Sequence, residues 1–150
     1  MEYNCKAMNI PEEAKKVIKD LERGGFEGYL VGGCVRDLLR GEDPEDFDVA
    51  TNATPEEMKK IFKNSFSNNV FGTVTVLTGS KKDNVKEIQV TTYRTEEDYN
   101  DKRHPEKVSF VKDIKEDLQR RDFTINAMAL REEKGDYKII YPFKGKSALE

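Results

Sequence analysis

Apolar positions along this chain alternate between two periods. In residues 10–23, IPEEAKKVIKDLER, Ala14, Val17, Ile18 and Leu21 recur at the spacing of one helical face, with charges between them. Pro11 suits the first turn, Glu12 and Glu13 suit its dipole, and Gly24 with Gly25 ends the helix. Tyr29, Leu30 and Val31 form a short continuous apolar run, the mark of a buried strand. Gly32 and Gly33 break it. Val35, Leu38 and Leu39 return to helical spacing until about Gly41. An acidic loop, Glu42 to Glu45, carries Pro44, and Asp46 to Ala50 predicts a second strand. Thr54, Pro55, Glu56 and Glu57 have the form of a capping box with proline at the first helical position. The helix it opens turns Met58, Ile61 and Phe62 inward.

The second half favours strands. Residues 70–77, VFGTVTVL, are rich in β-branched side chains, and residues 86–93, KEIQVTTY, follow after a polar turn, so the two predict a hairpin. Residues 94–106, RTEEDYNDKRHPE, have little apolar content and are long for an inert connection, which predicts a functional loop. Asp113 with Glu116 predicts a second capping box, opening a helix through Leu118 that runs into RRDFTINAMAL. Residues 137–141, YKIIY, predict a last strand. Helices interleaved with a small mixed sheet make the fold α/β or α+β.

Composition narrows the class. The chain has 150 residues, the size of one domain, and carries 26 basic against 29 acidic residues. A net charge of -3 does not advertise a nucleic-acid binder, although local basic patches can serve. At 36% hydrophobic, 37% charged and a mean hydropathy of -0.80 it is polar, but the apolar residues are clustered enough for a modest core. No apolar run is long enough to span a bilayer and no signal-peptide core follows Met1, so a cytoplasmic protein is expected. The two cysteines, Cys5 and Cys34, have no metal-ligand spacing, and the single histidine, His104, leaves little basis for His-ligated metals or a Ser-His-Asp triad.

Candidate chemistry lies in the stretch from Tyr29 to Thr51. On a strand, Asp46 and Asp48 point to one face and Phe47 to the other. Carboxylates about 6–7 Å apart repel by about 2–3 kcal/mol at an effective dielectric near 20. A hard cation answers that repulsion, and Mg²⁺ favours one or two carboxylates completed by phosphate oxygens. Gly32 and Gly33, between a strand and a helix, present backbone N–H groups to an anion, and Arg36 lies one turn further on. Taken singly, each feature has a plain reading: solvated acids, a tight turn, a surface arginine. A further element is Arg120, Arg121 and Asp122 with Asn126. Adjacent arginines at a helix end are usually solvated, but Phe123, Ile125, Met128 and Leu130 anchor this segment and suit it to clamp a triphosphate or a base edge.

LVGGCVRDLLRG, then PEDFDVAT, then EDLQRRDFTINAMAL, in that order and spacing, resemble the head domain of the class II tRNA nucleotidyltransferases. That group comprises the CCA-adding enzymes and the bacterial poly(A) polymerases, within the DNA polymerase beta superfamily. The similarity covers about Phe26 to Gly145. The resemblance implies that Asp46 and Asp48 bind two catalytic Mg²⁺ ions, and that Gly32, Gly33 and Arg36 contact the triphosphate. It implies that Arg121 contacts the incoming nucleotide and that Asn126 orders its segment. The substrates would be CTP and ATP, and the partner a tRNA or other RNA 3′ end. Asp37 would be structural, orienting Arg36 or nearby backbone. Residues 94–106 match the family's flexible loop, with His104 a loop residue rather than a catalyst.

Two positions depart from the family. Its strand commonly carries Glu where Gln89 sits, and an uncharged amide cannot serve as a third acid; Glu87, on the same strand face, is placed to substitute in part. Residues 141–145, YPFKG, stand where the family tends to have DPFGG. Residues 1–150 are expected to be the head alone, without the neck helices that select CTP or ATP and without the body and tail that grip tRNA. The leading expectation is a head that adds CMP and AMP to RNA 3′ ends, tRNA CCA addition first. The alternatives are a poly(A) polymerase head or a non-catalytic nucleotide- or RNA-binding module. A Ca²⁺ loop at Glu42 to Asp48 is a weak reading, because the twelve-residue ligand pattern is missing.

Overall fold

A computed structural model describes residues 9–67, 72–97, 107–110, 113–119, 128–133 and 135–140. Helix α1 (Glu12–Arg23) leads into strand β1 (Gly28–Val31), helix α2 (Gly33–Leu39) and strand β2 (Asp48–Thr51). Helix α3 (Pro55–Ile61) is followed by strands β3 (Ser65–Ser67), β4 (Thr73–Leu77), β5 (Glu87–Thr92), β6 (Arg94–Glu97) and β7 (Lys107–Phe110). Helix α4 (Ile114–Gln119), strand β8 (Ala129–Glu133) and strand β9 (Asp136–Ile140) complete the order. Seven strands form one mixed sheet, ordered β3-β4-β5-β2-β1-β8-β9, and β6 pairs with β7 separately. Among the described residues only β2 and β5 run parallel in the large sheet; the other neighbours are antiparallel.

The apolar pattern accounts for the two layers. Ala14, Val17, Ile18 and Leu21 of α1, Cys34, Val35 and Leu38 of α2, and Met58 of α3 join Leu30, Phe47, Val49, Val74, Val90 and Leu130 in the main core. Full burial of each large side chain contributes about 1.5–3 kcal/mol. On the other sheet face Ile114 and Leu118 of α4 cover Tyr29, Val31, Ala50, Tyr93 and Ala129. Among the described residues no helix is long and apolar enough to cross a membrane.

Several expected boundaries move. The second strand begins at Asp48, not Asp46, because its antiparallel partner β1 ends at Val31, opposite Asp48, and Gly32 (φ 80°) then turns that chain away. The hairpin forms as expected, Thr73 opposite Thr91, although Val70 and Phe71 lie outside the described residues. The polar stretch after Tyr93 is not all loop: Arg94–Glu97 pairs with Lys107–Phe110 through backbone hydrogen bonds that need no apolar side chains. Residues 98–106, including His104, lie outside the described residues.

The largest correction is β8. Ala129 and Leu130 belong not to the end of a helical segment but to a strand paired with β1. The only apolar residues of β8 are Ala129 and Leu130, both helix-favouring, followed by Arg131, Glu132 and Glu133, so the segment carries no strand pattern. The short edge strand β3 carried no sequence signal. The last strand is described over Asp136–Ile140, and Tyr141 lies outside the described residues.

The Thr54 capping box forms fully. Its hydroxyl accepts from the Glu57 backbone N–H at 3.3 Å, and the Glu57 carboxylate accepts from the Thr54 N–H at 2.9 Å. Thr54→Ala is expected to lower the unfolding free energy by about 1 kcal/mol, read as a shift of the urea midpoint at unchanged slope. An unmoved midpoint would show that the box carries no stability.

Candidate functional site

The site forms where β1 ends and β2 begins. Phe47 is fully buried beneath the helices, and Val49 follows it into the same core. Alternation then sends Asp48 and Ala50 to the opposite face, and Ala50 indeed packs with Tyr29 and Val31 there. Asp48 is half-buried, while Asp46 lies exposed in the loop just before the strand.

Gly32 stands across from this strand end. A Cβ built on it would lie 4.0 Å from Oδ2 of Asp48, so the glycine backbone runs beside the carboxylate. There is room for a methyl group; the φ of 80° is what favours glycine. At Gly33 the neighbour is Arg36. A Cβ there would stand 3.3 Å from Nη2 of the arginine, whose guanidinium folds back over the first turn of α2. Its Nε donates to Oδ1 of Asp37 at 3.1 Å, in a pair that is partly exposed. Asp37 therefore orients Arg36, as expected of the VRD triplet.

Cys34 reports the field of the two acids. Its thiol donates to the Val31 carbonyl at 3.2 Å. Burial first, and then the negative charges of Asp48 and Asp46, push it from an ordinary 9.0 up to about 12, with the Asp48 backbone N–H offsetting part of the rise. A thiol so held is a packing group, not a nucleophile.

Gln89 sits beside Asp48 in the parallel register of β2 and β5. On its other side Thr75 of β4 is in register, and the Thr75 hydroxyl donates to Oε1 of Gln89 at 2.9 Å. Glu87, two residues before Gln89 on β5, is exposed. Among the described residues no three Asp, Glu, His or Cys side chains gather closely enough to hold a metal ion. Two carboxylates still fit a hard cation that completes its shell with phosphate oxygens and water. Asp48 Oδ2 lies beside the Gly32 backbone, 4.0 Å from where a Cβ would stand.

The structure thus brings Gly32, Gly33, Arg36 and Asp48 together at one strand end, with Asp46 adjoining in sequence and felt by the same thiol. Arg121 and Asn126, with Arg120, Asp122, Phe123 and Ile125, lie outside the described residues. Two contacts escaped the sequence reading. One is the Thr75 to Gln89 hydrogen bond, visible only once strand register is known. The other is Asp117, buried at 1% exposure, whose Oδ1 accepts the Arg94 backbone N–H at 2.9 Å and ties β6 to α4. Its sequence signal was faint: a charged residue beside Leu118 on the face that packs inward.

The chain belongs to the poly A polymerase head domain family, whose model matches residues 28–150. It is 48% identical over 128 residues to a CCA-adding enzyme of Lactobacillus delbrueckii subsp. bulgaricus, covering 85% of this chain and 31% of the relative. To a CCA-adding enzyme of Streptococcus suis it is 44% identical over 149 residues, covering 97% and 35%. The Bacillus stearothermophilus CCA-adding enzyme, solved in complex with CTP, superposes with a TM-score of 0.72 at 40% identity, over 92% of this chain and 31% of that one. The Thermotoga maritima CCA-adding enzyme, solved with tRNA, gives 0.65 at 26% identity, over 95% and 32%. The chain spans about a third of the length of the curated relatives it matches. Its fold is the mixed α+β head of the DNA polymerase beta type, as the motifs implied.

Burial and the two nearby acids keep the Cys34 thiol protonated at pH 8. Because folding holds the proton more tightly, the thiolate fraction rises only as pH climbs towards 12. In a Cys5→Ser background, maleimide is expected to label Cys34 at the rate of unfolding at pH 8. Rapid labelling of the native protein would contradict this placement.

Proposed function

We propose that this chain is the catalytic head of a Mg²⁺-dependent nucleotidyltransferase that adds CMP and AMP from CTP and ATP to RNA 3′ ends, with tRNA CCA addition as the activity of the whole protein. The observation that carries the proposal is the meeting of the Gly32–Gly33 turn, Arg36 and Asp48 at adjoining strand ends, with Asp46 next to them. The names of its relatives support the reaction, and the CTP and tRNA in the titles of solved neighbours support the substrates. A cytoplasmic location goes with this reading.

Asp46 and Asp48 would hold the metal. When bound, it supplies Lewis-acid activation of the RNA 3′-hydroxyl and neutralises charge on the leaving pyrophosphate. The 3′-oxygen forms a bond to the α-phosphorus, the bond from that phosphorus to the pyrophosphate oxygen breaks, and the hydroxyl proton passes to solvent. No side-chain nucleophile takes part. The glycine turn lets backbone approach the triphosphate, and Arg36, oriented by Asp37, pairs with a phosphate. Arg121 contacts the incoming nucleotide and Asn126 orders that segment, as the family motif implies. RNA is gripped mainly by parts of the protein beyond this head.

Gln89 beside Asp48 favours a second reading, a non-catalytic nucleotide- or RNA-binding head. Labelled CTP and ATP, supplied separately to tRNA lacking its 3′ end and to unstructured RNA, separate the readings and separate CCA addition from polyadenylation. The whole protein is expected to extend the tRNA, and Asp46→Ala with Asp48→Ala to reduce incorporation by a factor on the order of 10³ or more. Incorporation unchanged by the double substitution would refute the metal assignment. The 150-residue chain alone is expected to bind triphosphates weakly and with little base preference. Sharp CTP-over-GTP discrimination in a titration would contradict that.

A further inference from the structure

Asp46 precedes β2, so the hydrogen-bond ladder of the sheet does not place it. Two buried residues flank it instead: Pro44, two positions earlier, and Phe47. The start of this loop is held by the Glu42 N–H, which donates to the Asp37 carbonyl at 2.8 Å. Its middle is held from 40 positions away, where Nδ2 of Asn84 donates to the Pro44 carbonyl at 3.2 Å. A buried backbone carbonyl needs a donor, and here a side chain supplies it. Such a tie has work to do, because Glu42, Asp43, Glu45 and Asp46 repel one another along the loop. Asn84 lies in the turn between β4 and β5. Strand register sets that turn at the sheet end that holds the site: Glu87 begins β5, and Gln89, two residues on, stands beside Asp48. The turn is itself clamped. The Thr78 hydroxyl donates to the Val85 carbonyl at 2.6 Å, and the Thr78 N–H donates to the Lys86 carbonyl at 3.1 Å. The Val85 side chain is fully buried in the same core as Phe47. Asn84 therefore reaches the loop from a fixed base.

We propose that Asn84 is a positioning residue for Asp46: its side-chain amide, by holding the Pro44 carbonyl, ties the acidic loop to the β4–β5 turn and fixes where the Asp46 carboxylate stands for a divalent cation. Asn84 is not itself a ligand and acts on the site only through the loop backbone. The cation arm of this proposal rests on the function proposed above; the loop-anchoring arm does not.

Two measurements test it on the 150-residue chain, with circular dichroism confirming that each variant folds. The first is the backbone ¹⁵N–¹H heteronuclear NOE, which reads order residue by residue. In the wild type, Glu45 and Asp46 are expected to be as ordered as Val49. Asn84→Ala removes the side-chain amide, and Asn84→Asp keeps its size but loses the donor. In both variants Glu45 and Asp46 are expected to lose order while Val49 and Val85 keep it. Unchanged loop order in either variant overturns the proposal. So does a loss shared by Val49 and Val85, which would mark a general folding role. The second measurement is binding of Mn²⁺ alone, read by the electron paramagnetic resonance of the free ion. Asn84→Ala is expected to weaken binding about tenfold, and to have no further effect once Asp46→Ala is present. Unchanged binding in Asn84→Ala overturns the proposal. An equal weakening in the Asp46→Ala background also overturns it, since Asn84 would then act other than through Asp46. If the wild-type chain binds no Mn²⁺ beyond an Asp46→Ala, Asp48→Ala control, the metal reading of the site fails, and the loop order still decides the anchoring.

Discussion

The site depends on the two-residue alternation of β2. Phe47 and Val49 are fully buried under the helices, which obliges Asp48 to face the other way. A slip of one residue would put a carboxylate into the apolar core and Phe47 onto the site, so burial of Phe47 sets the register of the chemistry. The antiparallel pairing with β1 fixes the rest. Val31 lies opposite Asp48, so the chain leaving β1 delivers Gly32 and Gly33 beside the carboxylate and starts α2 there. One hydrophobic anchor and one strand pairing thus assemble the acids, the glycine turn and the arginine.

Electrostatics accounts for the neighbours of that group. Two acids close to a buried thiol keep Cys34 protonated, and Asp37 holds Arg36 by its Nε so that the rest of the guanidinium reaches back over Gly33. The parallel register sets an amide, not a third carboxylate, beside Asp48, which spares the site one more like-charge repulsion.

Much of this was legible in the sequence, for identifiable reasons. The helical spacing of Ala14, Val17, Ile18 and Leu21, the Thr54 capping box and the β4–β5 hairpin depend on local pattern, and all three formed. The glycine turn and both aspartates were singled out because the proposed chemistry needs them close in sequence, and the fold sets Gly32 beside Asp48. Strand β8 was missed because Ala129 and Leu130 favour helices, and only their pairing with Val31 and Leu30 makes them a strand. Strand β6 was missed because backbone pairing leaves no apolar trace in Arg94–Glu97. The Thr75–Gln89 contact depends on the relative register of two strands, which no single segment encodes. The roles of Arg121 and Asn126 came from resemblance to the family rather than from spacing.

The most direct measurement is calorimetric titration of this chain with CTP, in Mg²⁺ and in EDTA, for the wild type and for Asp48→Ala. The account predicts saturable binding that needs Mg²⁺ and is lost in Asp48→Ala. Equal binding in EDTA, or binding indifferent to Asp48, would contradict the claim that the strand end beside Gly32 is a metal-triphosphate site.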